Sequence, residues 1–507
     1  MKRALISVYH KDGIEELARK LVDSGWEILS TGGTAGHLKK NQVPVTELAS
    51  LTGFGEILNG RVKTLHPLIF AGILATSSPA HRQDLESISA DRIDLVVVNF
   101  YPFEEALAEK EKNLDAMIET IDIGGPSMVR AAAKNHRETT VVVESRDYGW
   151  VGDQLAQSGS LTDEERGRLA QKAFAYTSFY DSLIASYLAA GDGSPAPYYT
   201  LGGRKKMDLR YGENPHQQGA LYITDVNSPL NRMEKLQGKK LSFNNILDLS
   251  MVMEVLGVFR DDVQPLCVIV KHQNPCGAAR NPDQKTAFNQ AFEGDSKSAF
   301  GGIVGFNRPL DGPAADRMKK IFFEVILAPD FTREALDILK KRKKLRLIKI
   351  PLDYRDPWDV KKVPGGFVLQ DRDQRITDGT SFELKTPRSL TGQEQADADF
   401  GWKMVKFVKS NGIIIVKNQQ LIGVGAGQMS RVDAVELAIK KSPAVLKGAV
   451  LLSDAFFPFA DSIEAAATAG IRVIVEPGGS IRDEEVIKAA REKNLSLVFT
   501  GIRHFRH

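Results

Sequence analysis

Residues 191–197, with the sequence GDGSPAP, constrain the fold of this chain more than any other segment. Glycine and proline interrupt both helices and strands, so a segment this rich in them is typical of a linker between domains. The chain has 507 residues, which is more than a single hydrophobic core usually supports. We therefore predict one domain at residues 1–196 and a second at residues 197–507.

The first domain has the pattern of a parallel α/β fold. Short runs rich in β-branched residues alternate with amphipathic stretches, as expected where helices connect parallel strands. The predicted strands span residues 4–8, 26–29, 95–98 and 140–143, and a predicted helix spans residues 13–24. The second domain is not a simple repeat of the first, because residues 412–416 and 421–424 flank Asn418-Gln419-Gln420 and predict a hairpin.

One loop of the first domain suits a phosphate group. Residues 30–34, STGGT, lie between a predicted strand and a predicted helix, where backbone amides and hydroxyls can bind an anion. An ordinary tight turn is the alternative. Ser7 and Lys11 end the first predicted strand and could reach the same phosphate. Another short loop supplies two cations and a hydroxyl, or simply solvated surface charge, from Arg61, Lys63 and Thr64.

The polar segment at residues 271–277, KHQNPCG, follows an apolar run of buried-strand length. Pro275 cannot donate to a sheet and Gly277 tolerates unusual backbone angles, so we expect the strand to end in a loop here. An ammonium beside an imidazole favours the neutral imidazole, which can accept a proton, and the ammonium can stabilise an oxyanion. Lys271 and His272 therefore suit acyl transfer, although an isolated Lys-His pair more often ends a strand at the surface.

Composition excludes several classes of protein. The 67 basic and 64 acidic residues leave a formal net charge of +3, too small to indicate nucleic-acid binding by bulk charge. The spacing of Cys267 and Cys276 fits neither a disulfide framework nor a four-ligand zinc site. The N-terminal apolar run is too short for a signal peptide, and no stretch approaches a membrane span. We therefore expect a cytoplasmic protein without membrane or nucleic-acid partners.

Ordered motifs along the whole chain resemble one enzyme family. In the first domain they are STGGT at residues 30–34, GRVKTLHP at 60–67, NFYPF at 99–103, IDIGG at 121–125 and AKNH at 133–136. In the second they are LRYGENPHQ at 209–217, LSFNN at 241–245, KHQNPCG at 271–277, SAFGG at 298–302 and GVGAGQMSR at 423–431. From about Ala4 to Arg506 the chain resembles the bifunctional purine-biosynthesis family. That family combines formyltransferase activity on 5-aminoimidazole-4-carboxamide ribonucleotide (AICAR) with inosine monophosphate (IMP) cyclohydrolase activity.

The resemblance implies an α/β protein in two parts. The N-terminal domain is expected to be methylglyoxal-synthase-like, and the C-terminal region to contain two cytidine-deaminase-like subdomains. It also implies 10-formyltetrahydrofolate as co-substrate, no catalytic metal, and a homodimer whose formyltransferase sites draw on both chains. The partners are then small molecules: AICAR, its formylated product and folate.

For ring closure, the resemblance implies that Lys134 transfers protons, that Lys63 and Tyr101 give electrostatic and hydrogen-bonding support, and that Asp122 orients the carboxamide. The other implied contacts in this domain are Ser7, Lys11, Ser30, Thr31, Gly32, Gly33, Thr34, Arg61, Thr64, Asn99, Ile123 and Gly124. The family commonly has Ser and Asp where this chain has Tyr9 and His10. Phosphate contact is therefore assigned to Ser7 and Lys11 rather than to Tyr9.

For formyl transfer, the resemblance implies that His272 is the base, that Lys271 stabilises developing charge and that Asn411 aligns the reacting groups. Arg503 is expected at the nucleotide phosphate. The other implied substrate or folate contacts are Arg210, Tyr211, Phe300, Gly301, Glu324, Arg431, Phe456, Asp461, Ser480 and Ile481. Phe456 could also be a core residue, Asp461 a helix cap and Ser480 part of a plain turn. Phe457 is expected in the core.

Two other classes of function fit parts of the sequence. A zinc deaminase is suggested by His272, Pro275 and Cys276, but Asn274 replaces the glutamate that this signature needs, and the second cysteine of its Pro-Cys-x-x-Cys is missing. Nucleic-acid binding is suggested by the basic run at residues 340–344, which a solvated helix end explains more often. Neither alternative accounts for both halves of the chain.

Overall fold

The computed structural model describes residues 1–109, 113–189, 195–353, 356–376, 381–442 and 446–507. Contacts within the chain divide it into two compact units, Met1–Arg204 and Lys205–His507. Residues 191–194 of the predicted linker lie outside the described part. The boundary after residue 196 therefore stays a prediction.

The first unit is built on a five-stranded parallel sheet with the order β3-β2-β1-β4-β5. Its strands are β1 (Lys2–Ser7), β2 (Trp26–Ser30), β3 (Thr46–Glu47), β4 (Leu95–Val98) and β5 (Thr140–Val142). The four strands predicted from the sequence are confirmed within two residues at each end. They were predictable because each is an apolar run that is buried in a parallel sheet covered by helices.

Helices cover both faces of this sheet and bury a separate apolar cluster on each side. They are α1 (Ile14–Asp23), α2 (Gly32–Lys40), α3 (Leu48–Thr52), α4 (Pro67–Leu74), α5 (Pro79–Ser87), α6 (Phe103–Ala108), α7 (Leu114–Ile118), α8 (Gly124–Lys134), α9 (Tyr148–Ser158) and α10 (Asp163–Leu188). Short 3₁₀ turns lie at Leu58–Gly60 and Ser145–Asp147. The long helix α10 packs Tyr176 and Tyr180 against Phe100, with ring centroids 4.6 and 4.9 Å apart.

The second unit contains a single twelve-stranded sheet. Its strands, in sheet order, are β16 (Glu383–Leu384), β21 (Ser496–Phe499), β20 (Val473–Glu476), β19 (Val450–Ser453), β17 (Ile413–Lys417), β18 (Gln420–Gly425), β10 (Asn274–Arg280), β9 (Leu266–Lys271), β11 (Ile303–Phe306), β12 (Val325–Ala328), β13 (Arg346–Lys349) and β8 (Glu234–Gln237). Two small two-stranded sheets pair β6 (Arg204–Asp208) with β7 (Ala220–Ile223) and β14 (Trp358–Val363) with β15 (Gly366–Asp371).

The large sheet has two halves with the same order of elements. Each half has a helix, an antiparallel hairpin, and then three parallel strands with helices between them. The helices of this unit are α11 (Pro229–Arg232), α12 (Phe243–Val258), α13 (Gln284–Gly294), α14 (Ser296–Ala299), α15 (Gly312–Met318), α16 (Arg333–Leu339), α17 (Gly392–Val405), α18 (Arg431–Lys441), α19 (Asp461–Thr468) and α20 (Asp483–Glu492). The halves join where β10 pairs antiparallel with β18, at Ala279 and Gln420.

The two hairpins test two sequence predictions. The hairpin predicted around Asn418 is confirmed as β17 and β18. The loop predicted through Gly277 is wrong, because the strand β10 resumes at Asn274 after a turn of only two residues. A shift of register between Pro275 and Gly277 marks a β-bulge, and bulges are where a strand tolerates proline.

Candidate active sites

Three residues predicted for substrate binding in the first unit lie where neighbouring strands end. Ser7 ends β1, Ser30 ends β2 and Asn99 follows β4. β1 lies between β2 and β4, so the strands that follow β1 in the sequence are added first on one side of it and then on the other. Ligands of open α/β sheets bind at such a point, outside the carboxyl ends of the strands.

The STGGT loop is fixed by the hydroxyl groups of its first and last residues, which donate hydrogen bonds to backbone carbonyls. Ser30 Oγ donates to the Ile6 carbonyl at 2.6 Å, and Thr34 Oγ1 donates to the Val8 carbonyl at 2.9 Å. Both side chains are buried, so they fix the loop to β1 rather than present hydroxyls to a ligand. The residues between them form the open N-terminus of α2, beginning at Gly32, whose φ of +50° favours glycine.

Two ammonium groups converge on this helix N-terminus. Lys63 Nζ lies 3.8 Å from the position that a Cβ on Gly32 would occupy, and Lys11 Nζ lies 3.9 Å from the corresponding position on Gly33. Lys63 also pairs with Glu56 at 3.0 Å. A helix N-terminus with two cations beside it attracts a phosphate through both the helix dipole and direct charge. Arg61 instead forms a surface ion pair with Glu119.

Asp122 lies at the start of α8 in a network of backbone bonds. Its Oδ1 accepts from the Gly125 N–H at 2.8 Å, and its own N–H donates to Tyr180 Oη at 2.8 Å. Burial raises the pKa of the Asp122 carboxyl, although backbone donors and the charge of Lys63 act in the opposite direction. Thr64 lies beside the same helix start, since its Oγ1 is 2.6 Å from a Cβ position on Gly124. The neighbouring Ile123 is exposed.

Asn99 and Tyr101 connect this network to the loop after β1. Asn99 Oδ1 accepts from the backbone of Tyr9 at 2.5 Å and of His10 at 3.1 Å. The ring of Tyr101 packs edge to face against Tyr9, with centroids 5.9 Å apart. Tyr9, the departure from the family pattern, therefore lies beside the predicted ring-closure residues.

Lys134 does not join this cluster within one chain. It ends α8, a helix of 11 residues that begins at Gly124. A rise of about 1.5 Å per residue places its Cα about 15 Å along the helix axis from Gly124. The next residue, Asn135, donates to the Ile73 and Ala75 carbonyls at 2.9 and 3.0 Å. The structure thus brings together Lys11, Lys63, Thr64, Tyr101 and Asp122, and leaves Lys134 apart.

In the second unit, Lys271 and His272 lie at the turn between β9 and β10. His272 and Gln273 form this turn and have φ values of +53° and +57°. Left-handed backbone at both positions defines a tight hairpin turn that residues other than glycine and asparagine rarely adopt. Asp248 on α12 accepts both turn N–H groups, from His272 at 3.3 Å and from Gln273 at 2.6 Å. The His272 side chain is exposed, and Lys271 Nζ donates to the Phe300 carbonyl at 2.6 Å.

Phe300, Gly301 and Glu324 lie next to this turn. The Gly301 N–H donates to the Phe322 carbonyl at 2.8 Å, and the Glu324 N–H donates to the Gly302 carbonyl at 3.1 Å. The Phe300 and Phe322 rings pack with centroids 5.3 Å apart. Glu324 forms an ion pair with the buried Arg346, so its carboxylate is already engaged.

An open cleft of about 460 Å³ gathers five of the predicted residues from the second half of the sheet, namely Asn411, Arg431, Phe456, Asp461 and Arg503. Asn411 Oδ1 accepts from Arg431 Nη2 at 2.6 Å, and its Nδ2 donates to the Gln428 carbonyl at 3.0 Å. Arg431 also pairs with the fully buried Asp454. Arg431 therefore fixes Asn411 at the cleft wall. Arg503 supplies a second cation to the cleft and lies over the Phe505 ring at 4.3 Å.

The turn and the cleft are directly connected. Asn274 Oδ1 accepts from the Lys409 N–H at 3.0 Å, and its Nδ2 donates to the His272 carbonyl at 3.1 Å. Lys409 lies two residues before Asn411. A single asparagine thus ties the turn that carries His272 to the segment that carries Asn411.

Besides Phe300, Gly301 and Glu324, four predicted contacts are not part of the lining of this cleft. Arg210 lies over the Tyr211 ring at 5.3 Å, and the Tyr211 carbonyl accepts from the Phe243 N–H at the start of α12. The Ser480 N–H donates to Asp483 at 3.0 Å, and Ile481 is fully exposed. Phe457 is buried in the core, as expected from the sequence.

Sequence reasoning missed two carboxylates in this unit. Asp248 supports the turn, and a repeated pattern could have identified it: Asp248 and Asp397 each follow a capping Ser or Thr by six residues. Each also precedes a Lys-x-Gln turn, at Lys271 and at Lys417. Glu476 in β20 is fully buried, and its Oε2 accepts from the Phe457 N–H at 2.5 Å. Burial first, and then the charge of Asp483, raises its pKa to about 8.

Properties of the described residues bear on the alternative functions. No group of three or more His, Cys, Asp and Glu side chains is arranged to hold a metal ion in that part of the chain. Burial raises the pKa of the Cys276 thiol to about 12, which disfavours the thiolate that zinc binds. No helix within the described ranges is long and apolar enough to cross a membrane.

Comparisons with family models and with known proteins agree with one another, and the relatives match the chain over its whole length. A family model described as AICARFT/IMPCHase bienzyme matches residues 132–441, and one described as MGS-like domain matches residues 13–127. The chain is 47% identical to the bifunctional purine biosynthesis protein PurH of Caldicellulosiruptor saccharolyticus, over 100% of both chains. Proteins of the same name from Desulfitobacterium hafniense and Thermoanaerobacter sp. are 46% and 45% identical, again over 100% of both chains.

Proposed function

The chain belongs to the AICARFT/IMPCHase bienzyme family and catalyses the last two steps of IMP biosynthesis, and we propose that its two units divide these steps between them. The unit Lys205–His507 carries formyl transfer to AICAR. The unit Met1–Arg204 carries dehydrative closure of the formylated nucleotide to IMP.

The chemistry of formyl transfer requires a base. The exocyclic amine of AICAR is a weak nucleophile because its lone pair is delocalised into the ring and the carboxamide. In our proposal the amine nitrogen attacks the formyl carbon of 10-formyltetrahydrofolate while His272 takes the amine proton. The carbon–nitrogen bond to N10 of the folate then breaks, and N10 receives a proton, giving tetrahydrofolate and formyl-AICAR.

Three further residues have proposed roles around this step. Lys271 stabilises the negative charge that develops on the formyl oxygen. Asn411 aligns the reacting groups, and Arg503 binds the nucleotide phosphate. One observation carries the proposal: Asn274 joins the exposed Lys271–His272 turn to the segment that presents Asn411 to the open cleft.

The duplicated sheet provides a matched control for the proposed base. Asn418 occupies the turn of the second hairpin at the position that corresponds to His272, with φ of +52°, and it is also exposed. We expect His272→Ala to slow formyl transfer by at least ~100-fold, the usual range for removal of a general base. Asn418→Ala should change it by less than about twofold, because an exposed side chain away from the chemistry contributes little.

The assay supplies AICAR and 10-formyltetrahydrofolate and follows formylated product and IMP, with ring closure of supplied formyl-AICAR measured separately. His272→Ala should leave that separate ring closure intact. Equal damage to both reactions in a well-folded His272→Ala protein would contradict the assignment to two sites.

For ring closure we propose the cluster at the carboxyl edge of the first sheet. The carboxamide nitrogen attacks the formyl carbon, and loss of water completes the aromatic ring. Lys63 and Tyr101 meet the carbonyl oxygen, and Asp122 orients the carboxamide. Lys11 and the N-terminus of α2 bind the phosphate. Lys63→Ala should abolish closure of supplied formyl-AICAR and leave formyl transfer active.

The position of Lys134 supports the further proposal that the enzyme acts as a homodimer. Lys134 lies about 15 Å along α8 from the Asp122 cluster of its own chain, so a proton-transfer role there requires a second copy. Mixing inactive Lys134→Ala and Lys63→Ala proteins should then restore part of the ring-closure activity, because some mixed sites are intact. No recovery after subunit exchange would reject a shared site.

The remaining proposals concern location and partners. We propose that the enzyme is cytoplasmic and that its partners are small molecules rather than nucleic acids. The near-balance of 67 basic and 64 acidic residues supports the second point. Salt-dependent binding of the purified protein to random RNA or DNA would contradict it.

A further inference from the structure

We propose that Asp248 is a positioning residue for formyl transfer, because it fixes the backbone of the turn that carries His272; this inference rests on the proposed role of His272 as the base. His272 has left-handed backbone, which its side chain disfavours, so the turn needs an external partner to stay in that form. Asp248 supplies that partner by accepting the N–H groups of both His272 and Gln273.

The second hairpin shows that this arrangement is a repeated device of the fold. Asp397 on α17 accepts the Asn418 N–H at 2.8 Å and the Gln419 N–H at 2.6 Å, and both residues have left-handed backbone. One carboxylate from the preceding helix therefore holds a two-residue turn in each half of the sheet. Only the first of these turns carries a histidine. A comparison of the two aspartates therefore separates an effect on the position of His272 from a general effect of holding a turn.

The two copies also differ in a way that points to the reaction. Asp397 is completely buried and accepts a third bond, from Gln393 at 3.0 Å, so it is satisfied inside the protein. Asp248 is only half-buried, and its bond to His272 is the longer of its two, at 3.3 Å. Burial raises the pKa of the Asp248 carboxyl, whereas the two turn N–H groups and the charges of His272 and Lys271 lower it, so Asp248 lies close to both of these side chains.

Loss of the Asp248 carboxylate should misplace the base without removing a substrate contact. In Asp248→Asn one carboxylate oxygen becomes an amide NH2, which cannot accept an N–H, so the remaining oxygen can hold only one of the two turn residues. A displacement of the turn by about 1 Å would move the imidazole away from the AICAR amine, and misplacement of this size costs up to about 100-fold in rate. We expect kcat for formyl transfer to fall about 10- to 100-fold, with KM for AICAR within about twofold of the wild-type value.

The test compares Asp248→Asn with Asp397→Asn and His272→Ala in the full-length protein. AICAR and 10-formyltetrahydrofolate are the substrates, and kcat and KM are measured for each. Asp397→Asn makes the same chemical change at the turn without a histidine, and it should leave kcat within about twofold even where it lowers thermal stability. If Asp397→Asn does not fold, the KM for AICAR in Asp248→Asn still shows whether that variant keeps an intact site, and its kcat decides the question.

The possible results distinguish the positioning role of Asp248 from the proposed role of His272 as the base. A normal kcat in Asp248→Asn beside an inactive His272→Ala would overturn the positioning role and leave the proposed function standing. Equal losses of kcat in Asp248→Asn and Asp397→Asn would reduce Asp248 to a general support of the sheet. An active His272→Ala would reject the proposed function itself.

Discussion

Glu476 makes the stability of the second unit fall as the pH rises towards about 8. Burial is the main cause that raises its pKa from 4.5 to about 8; the charge of Asp483 acts in the same direction, and the Phe457 N–H and Arg431 act against it. The folded protein therefore binds a proton that the unfolded chain has already lost at neutral pH. Stability from this group is fully present below its unfolded pKa and is lost as pH rises through about 8.

The linkage relation gives the size of this loss. With a folded pKa of about 8 and an unfolded value of 4.5, the contribution of Glu476 falls by about 1.4 kcal/mol between about pH 7 and pH 9. The variant Glu476→Gln keeps an acceptor for the Phe457 N–H and does not titrate. Its stability should therefore be flat over this range, apart from changes shared with the wild type.

Urea unfolding of the full chain, followed by tryptophan fluorescence, measures the difference; Trp402, one of the four tryptophans of the chain, is buried in the same unit as Glu476. The matched control is Glu484→Gln on α20, an exposed glutamate that should keep the wild-type pH dependence. Identical losses of stability in the wild type and in Glu476→Gln would refute the reasoning, because they would show that Glu476 has the same charge in the folded and unfolded chain.

Three further predictions concern the two activities. Tyr180→Phe leaves the Asp122 N–H without its buried partner, so the free energy of unfolding should fall by about 1–3 kcal/mol and closure of supplied formyl-AICAR should slow. Unchanged ring closure would exclude a role for Tyr180 in holding Asp122. A fragment of residues 1–196 should fold and close formyl-AICAR alone, and a folded but inactive fragment would contradict the boundary or the assignment. Formyl transfer should survive strong chelation, and loss that added zinc restores would show that the enzyme needs a metal.

The strands of the first unit were predictable because apolar residues in a parallel sheet must be buried, and only a few runs in the sequence can supply them. The course of the chain after Lys271 was not, because Pro275 usually ends a central strand and only the bulge next to it allows pairing to continue. A bulge cannot be predicted from the local sequence, because it depends on how the strand pairs with its partner.

The site shows the same division. Motifs indicated Lys63, Tyr101 and Asp122, which come together from different places in the chain. Tyr101 follows β4, Asp122 precedes α8, and Lys63 lies in the loop between the 3₁₀ turn at Leu58–Gly60 and α4. The motifs did not reveal that Ser30 and Thr34 turn their hydroxyls inward to β1, because a hydroxyl suits a ligand and a buried carbonyl equally well. Asp248 was missed because nothing in the local sequence of a predominantly apolar helix indicates that its aspartate accepts hydrogen bonds from a turn 24 residues later.

The antiparallel pairing of β10 with β18 gives the large sheet a near-twofold junction with two corresponding ends. One end carries Lys271 and His272. The other carries Lys417 and Asn418, with Arg280 bonded to Gln419 at 2.6 Å and to Asp262 at 2.7 Å. For protein engineering, the fold thus contains a second copy of the turn that is proposed to carry the base. This copy is also held by an aspartate and also follows a lysine, and Arg280 lies next to it. The two turns have the same backbone conformation, but only one has a proposed role in the reaction. In a library of substitutions, formyl transfer should therefore tolerate far more residue types at Asn418 than at His272.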